Sequence, residues 1–290
     1  MSNIKKTLQS LNLVQDETCE VYADCTRDVP NLKVYKDRMS GIIFIEDFYT
    51  GEETYELGEY REIKTETTGQ PDLERSTDLD RRTQDYKQFY KGKTVLDLGC
   101  GAGDFLLSNY NSFKGCIGIE LEERCLDHLR KNKINCFNDL VSVKSSSIDT
   151  IFAFHSLEHF LEPLKMLAES FRILKEGGTI IIEVPHAKDF LLQQLNCNDF
   201  KNFTLWSQHL ILHTRESLFK FLTSTGFHNI TIQGKQRYPL SNHLTWLSKK
   251  RPGGHKNILS SIDNDQLKSA YEASLQMIDA TDTLVAIAKK

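Results

Sequence analysis

Val95-Leu96-Asp97-Leu98-Gly99-Cys100-Gly101-Ala102-Gly103-Asp104-Phe105 decides the fold of this chain. An apolar strand ends in an acid, glycines follow at every second position, and a helix-forming run comes next. Glycine at 99, 101 and 103 removes Cβ where the chain must turn sharply and let a ligand touch its backbone. The helix that follows presents free N–H groups to a polar ligand. Twenty-one residues past Gly99, Glu120 closes a second apolar strand, Cys116-Ile117-Gly118-Ile119-Glu120. An acid there can accept both ribose hydroxyls of a nucleoside. The bland alternative is a tight strand–helix turn with no ligand; the second acid at this distance favours a nucleotide-type cofactor.

The dinucleotide fingerprint G-x-G-x-x-G fails here, because Asp104 occupies the place of its third glycine. An acid followed by G-x-G-x-G resembles the class I S-adenosylmethionine (SAM) dependent methyltransferases, over about residues 95–234 plus the last strand. The resemblance implies SAM as cofactor and S-adenosylhomocysteine as its product. It also implies an α/β, Rossmann-like sheet of seven strands in order 3-2-1-4-5-7-6, mostly parallel, with an antiparallel last strand. By the same resemblance, Asp97 bonds the amino-acid end of SAM, while Gly99 and Gly101 let the backbone approach its methionine moiety. Glu120 takes the ribose diol, Leu121 packs on the adenine, and Asp139 accepts from the adenine amino group.

Size and composition are compatible with this reading. Two hundred and ninety residues suit one large domain with an appendage, and a net charge of −4 argues against a general nucleic-acid binder. No apolar run approaches the length of a membrane span, and Met1–Pro30 contains no signal-peptide core, so a soluble cytoplasmic protein is expected. Seven cysteines, none in a C-x-x-C pair, read as small buried hydrophobes in a reducing compartment rather than as a zinc framework.

Residues 1–90 form the expected appendage, with a hairpin from Leu32-Lys33-Val34-Tyr35 and Ile42-Ile43-Phe44-Ile45. In the polar stretch 51–72 most acids read as a solvated face, but Tyr49, Tyr55 and Tyr60 could fold over a ligand as a lid. Asp78 to Tyr90 reads as a helix. From 91 to 290 strands and helices alternate, which implies a parallel sheet covered on both faces. Gly177-Gly178 and Gly226 are expected to stop helices, and 187–196 is expected to be helical. Residues 235–262 interrupt the alternation and read as an acceptor-binding insertion.

Methyl transfer is an in-line displacement at an activated carbon, so the enzyme must align the acceptor and take up its proton. Alignment can supply ~7–11 kcal/mol, and a positioned base a further ~10²–10⁴-fold. Bases are expected at the carboxyl ends of strands four and five, where open α/β sheets place ligands. Strand four runs into His155-Ser156-Leu157-Glu158-His159, and Ser156 there could help position SAM. The spacing also matches the zinc-protease motif H-x-x-E-H, but His155 closes a strand instead of riding a long helix. It resembles, too, the E-x-x-E-H of ubiquinone-pathway O-methyltransferases, which ligates a divalent ion; His155 replaces the first acid, and no metal is expected here. Beyond strand five, Trp206-Ser207-Gln208-His209 resembles the Y-x-E-H of nucleotide-sugar C-methyltransferases. In that branch the Glu-His pair handles the acceptor's proton; here the carboxylate is missing and His209 stays, which suits an oxygen or nitrogen acceptor.

The expected bases are therefore His209, then His186 and His155. The insertion contains Arg237, Tyr238, Asn242 and His243, a mixture suited to sugar or phosphate recognition, and Tyr60 and Trp206 complete the acceptor-binding set. The same insertion reads alternatively as a homodimer contact. The sequence thus points to a SAM-dependent methyltransferase acting on a small polar acceptor such as a sugar or nucleotide-linked sugar. A protein methyltransferase, a non-catalytic SAM-binding subunit and a nicotinamide oxidoreductase are the rival readings.

Overall fold

A computed structural model describes residues 4–46, 48 and 73–290 of the chain. Helix α1 (Ile4–Ser10) leads into three short strands, β1 (Cys19–Ala23), β2 (Val34–Asp37) and β3 (Ile43–Phe44). The β2–β3 pair is the expected hairpin, antiparallel with Tyr35 opposite Phe44. Its unforeseen partner is β9 (Ile211–Leu212), which pairs antiparallel with β3, giving a four-stranded sheet in order β1-β2-β3-β9. The polar stretch 51–72, with Tyr55 and Tyr60, lies outside the described residues, as does Tyr49.

Helices α2 (Leu73–Asp85) and α3 (Lys87–Tyr90) precede the main sheet. Its first half alternates β4 (Thr94–Leu98), α4 (Asp104–Ser108), β5 (Gly115–Ile119), α5 (Glu123–Lys131), β6 (Asn135–Phe137) and β7 (Ile148–Phe154). Helix α6 (Pro163–Ile173) and β8 (Leu174–Pro185) follow, then α7 (Asn198–Thr204), α8 (Arg215–Ser224), β10 (His228–Lys235), α9 (Leu240–Lys249), α10 (Asp265–Met277) and β11 (Thr283–Lys289). The order across the sheet is β10-β11-β8-β7-β4-β5-β6. Strand β11 runs antiparallel to both neighbours, so this is the seven-stranded methyltransferase order expected from the sequence.

Alternation along the strands assigns the two faces. Leu96, Leu98, Ile180, Ile182, Val184, Leu284 and Ala286 pack into one buried cluster. Their neighbours Val95, Ile181 and Val285 join Tyr86, Tyr90, Phe105 and Phe152 on the other face. The first cluster also contains Ile4, Leu8, Val34 and Ile42 to Ile45, so the N-terminal strands share the core of the main sheet.

Two local expectations shift. Helix α6 ends at Ile173, before the glycine pair, because Leu174 is already paired with Ile148 of β7. Gly177, at φ +71°, and Gly178 then make a tight feature within β8, where a Cβ on Gly178 would sit 2.8 Å from the Lys175 carbonyl. The segment expected as helix at 187–196 narrows to one π-helical turn, Phe190–Gln194, whose first N–H groups are capped by the Asp189 carboxylate. The interruption at 235–262 contains the ordered helix α9. None of the described helices is long and apolar enough to cross a membrane.

Candidate functional site

The glycine loop closes β4 and opens α4. Gly99, Gly101 and Gly103 all have positive φ, the left-handed region that glycine enters without strain. At Gly99 a Cβ would approach the Ser156 Cβ to 2.7 Å, so the end of β7 presses directly against the loop. Glu120, just past β5, accepts from Gly101 N at 2.7 Å and from its neighbours Leu121 N and Glu122 N at 2.8 and 3.1 Å. Asp97 is buried beneath this loop, and burial pushes its carboxyl up to about 7 against the pull of Arg82. A backbone loop free of Cβ, flanked by two acids at the carboxyl ends of adjacent parallel strands, fits a nucleoside-bearing cofactor with a cationic amino-acid end. Leu121 is half-buried beside Glu120; Asp139 is exposed in the loop after β6, where it accepts from Ser142 N at 2.7 Å.

Helix α2 supplies residues that the sequence reading did not single out. Arg75 grips Asp104, the first residue of α4, through two bonds of 2.9 and 2.8 Å. Arg81 and Arg82 converge on the buried carboxylate of Glu183 at the end of β8, and the Tyr86 hydroxyl donates to it at 2.6 Å. Burial alone would raise Glu183; Arg82 and Arg81 hold it well below the usual carboxylate range. Asp78 is bound by Arg237 and lies 3.1 Å from Arg81, and these charges hold its carboxyl low despite burial. Glu74, Arg75, Asp78, Leu79, Arg82, Asp104, Phe105 and Arg237 line a cavity of about 190 Å³ beside the glycine loop. The adjacent arginines of α2 were a signal in the sequence; their common anchor, some hundred residues away, was not.

Beyond β7 lies a second set of polar groups. His155 adopts φ +51°, a strained conformation for a non-glycine residue, directly before Ser156. Its Nδ1 is 3.4 Å from Glu158 Oε1. Among the described residues, His155 Nε2, Ser156 Oγ, both Glu158 oxygens and His209 Nδ1 are buried with no hydrogen-bond partner. Burial pushes the Glu158 carboxyl up to about 8, and pushes His155 and His209 well below the ordinary histidine value. His159 Nδ1 is 2.8 Å from the Gln208 carbonyl, and the His159, Trp206 and His209 rings pack with centroids 5.2–5.9 Å apart. Donor atoms of Glu158, His159 and His209 lie within 4.8 Å of one another, so this chemistry is of the kind that could also gather a cation.

The other expected residues have varied surroundings. His186 is buried, with Nδ1 2.9 Å from the Thr281 carbonyl and Nε2 3.8 Å from Asp279, and burial pushes it down to about 4. Asn242 Oδ1 accepts from Gly253 N at 3.0 Å, inside the insertion. His243 Nδ1 is 2.7 Å from the Tyr271 hydroxyl, and its ring stacks on Phe190. Arg237 is committed to Asp78, while Tyr238 lies against His255 with ring centroids 5.5 Å apart. Trp206 has the Arg27 guanidinium 4.7 Å above its ring. Tyr60 lies outside the described residues. The structure thus brings His155, Ser156, Glu158, His159 and His209 together. Asn242 holds the insertion to itself, and His243 ties it to Tyr271 and Phe190 outside it.

A family model described as a methyltransferase domain matches residues 73–232. Among curated relatives, a ubiquinone biosynthesis O-methyltransferase of Coxiella burnetii is 27% identical over 170 residues, covering 53% of this chain and 71% of that protein. A probable S-adenosylmethionine-dependent methyltransferase of Mycolicibacterium smegmatis is 24% identical over 104 residues, 34% of this chain and 40% of its own length. The chain therefore spans less than half of that second relative. Among solved structures, a SAM dependent methyltransferase from Archaeoglobus fulgidus aligns with a TM-score of 0.50 at 20% identity, over 74% of this chain and 94% of the other. That likeness concerns the fold.

Proposed function

The chain belongs to the methyltransferase-domain family and is a SAM-dependent methyltransferase; from that premise we propose that it methylates an oxygen or nitrogen of a small polar acceptor, a sugar or nucleotide-linked sugar. The observation that carries the reading is the set of buried polar atoms without partners at His155, Ser156, Glu158 and His209. Buried polar groups are almost always hydrogen-bonded, so such a set against the cofactor loop calls for a ligand that brings its own donors and acceptors. When bound, SAM supplies a methyl group on a sulfonium. Asp97, Glu120 and the glycine loop hold it, with Leu121 and Asp139 at its adenine.

The chain's own residues then do three things. Ser156, pressed on Gly99, aligns the acceptor beside the loop. His209 is placed to take the acceptor proton at its buried Nδ1; burial keeps the free ring neutral near pH 7 and also makes it a weaker base, so the acceptor must bring polar groups that offset the burial. His155 and Glu158 bind the acceptor's other polar groups and help to exclude water. Trp206 and Tyr238 offer ring faces for a sugar. Arg237 acts from its pairing with Asp78, Asn242 shapes the insertion from within, and His243 anchors it to Tyr271.

The relatives' names favour oxygen over nitrogen as the atom methylated, and raise a ring hydroxyl of the ubiquinone type as a second acceptor class. Methyl-labelled SAM incubated with the protein and a cell extract tests the choice. Label among sugars or sugar nucleotides, abolished in His209→Ala, supports the proposal. Label in an apolar small-molecule fraction supports the ring hydroxyl. Label in protein, or SAM binding with no transfer, overturns the small-acceptor reading.

A further inference from the structure

One aromatic ring of the N-terminal sheet has two lysines against it, Lys36 from β2 and Lys201 from α7. Tyr22 sits where β1 slips register against β2, between Val21 and Ala23, a bulge that re-aims its side chain. Lys36 Nζ lies 5.4 Å from the Tyr22 ring centroid and donates to Gln193 Oε1 at 2.6 Å. Lys201 Nζ lies 3.7 Å from the same centroid and donates to the Tyr22 carbonyl. Gln193 is fixed in turn, donating to the Ala187 carbonyl at 3.0 Å.

Among the described residues, neither ammonium has a carboxylate within ion-pair distance. Glu20, which faces Lys36 across the strands and is 3.8 Å from Arg38, acts on Lys36 at longer range, as Asp24 does on Lys201 and the buried Asp189 does on Tyr22. Both lysines are part-buried, and burial lowers both against these carboxylates; the Lys36 ammonium lowers Lys201 further. An ammonium carries three N–H bonds, and each of these uses one on the protein, so donors remain on both. Two like charges held together without an anion are unfavourable, and a single carboxylate ligand would balance only one of them.

We propose that Lys36, Lys201 and Tyr22 form a binding site for a phosphate-type dianion, whether free phosphate or the phosphate of a larger ligand. The charge of the ligand matches that of the pair, and its oxygens match the remaining N–H donors. Lys201 lies on α7, the helix that precedes Trp206 and His209 in sequence.

Calorimetric titration of inorganic phosphate at pH 7.5 into the full chain, against sodium chloride at equal ionic strength, tests this. Saturable binding is expected, weakened about tenfold or more in Lys36→Gln and in Lys201→Gln, since a bond to a charged group contributes at that level. Tyr22→Phe keeps the ring and both cation–π contacts and removes only the hydroxyl that pairs with Gln193, so its binding is expected to stay within a few-fold of the wild-type value. No saturable binding to the wild-type chain, or binding unchanged in both lysine variants, overturns the proposal. Where binding occurs, inhibition of label transfer by phosphate assigns the site to a phosphorylated acceptor, and unaltered transfer assigns it to a free anion.

Discussion

Glu120 uses its carboxylate on three backbone N–H groups, Gly101, Leu121 and Glu122. The same oxygens are proposed to take the ribose hydroxyls, so one residue would both shape the glycine loop and receive the cofactor. Glu120→Gln keeps the size and removes the charge; SAM affinity is expected to fall about 10–100-fold, at ~1.5–3 kcal/mol for hydrogen bonds to a charged group, as read by calorimetry. Asp97 makes a second, opposite kind of prediction. Its carboxyl is raised to about 7, so near neutrality the empty site is partly protonated. A cationic amino group brought against it favours the carboxylate, so SAM binding is expected to release protons at pH 7 and to strengthen as pH rises from 6 to 8. Titration in buffers of different ionisation heats measures this directly; an affinity flat across that range would remove Asp97 from the cofactor site.

Helix α2 is tied at both ends and in the middle: Arg75 to Asp104, Arg81 and Arg82 to Glu183, Asp78 to Arg237, and Glu74 to Lys256 at 2.9 Å. One helix therefore joins the cofactor loop, the end of β8 and the insertion. Removing the central carboxylate takes the shared anion from two buried guanidinium groups and leaves Arg81 with Asp78 alone. Glu183→Ala is expected to cost ~3–5 kcal/mol, measured by urea unfolding, and to weaken SAM binding as well. The strands and helices of the main sheet were legible because each buries a face set by its own period, as Val95 and Leu96 do on opposite sides. The Asp97–Gly99–Glu120 site was legible because its parts are close in sequence. The Glu183 cluster was not, since it depends on a pairing over about a hundred residues that no local pattern encodes. Likewise β9 is two residues long, too short to show any period, and the π-helical turn after Asp189 is set by a side-chain cap rather than by a hydrophobic repeat.

The N-terminal strands are built into the whole. Ile4, Leu8, Val34, Ile42, Ile43, Phe44 and Ile45 are all buried in the cluster that contains Leu96 and Ile180. At ~1.5–3 kcal/mol for each large apolar side chain, their sum of about 10–20 kcal/mol is as large as the ~5–15 kcal/mol by which a domain is usually stable. A chain lacking residues 1–46 is therefore expected to fail to fold, and the intact chain to melt in a single calorimetric transition; two resolved transitions would show the appendage to be independent. The pairing of Ile43 and Phe44 with Leu212 and Ile211 also sets an order of events during synthesis. At ribosomal speeds of ~5–20 residues per second, strand β3 emerges roughly ten to thirty seconds before the strand that covers its edge. In that interval β3 has β2 on one edge and no native partner on the other, so this small sheet closes only after most of the main sheet has been made. Until then a newborn chain offers chaperones and proteases one bare apolar strand edge.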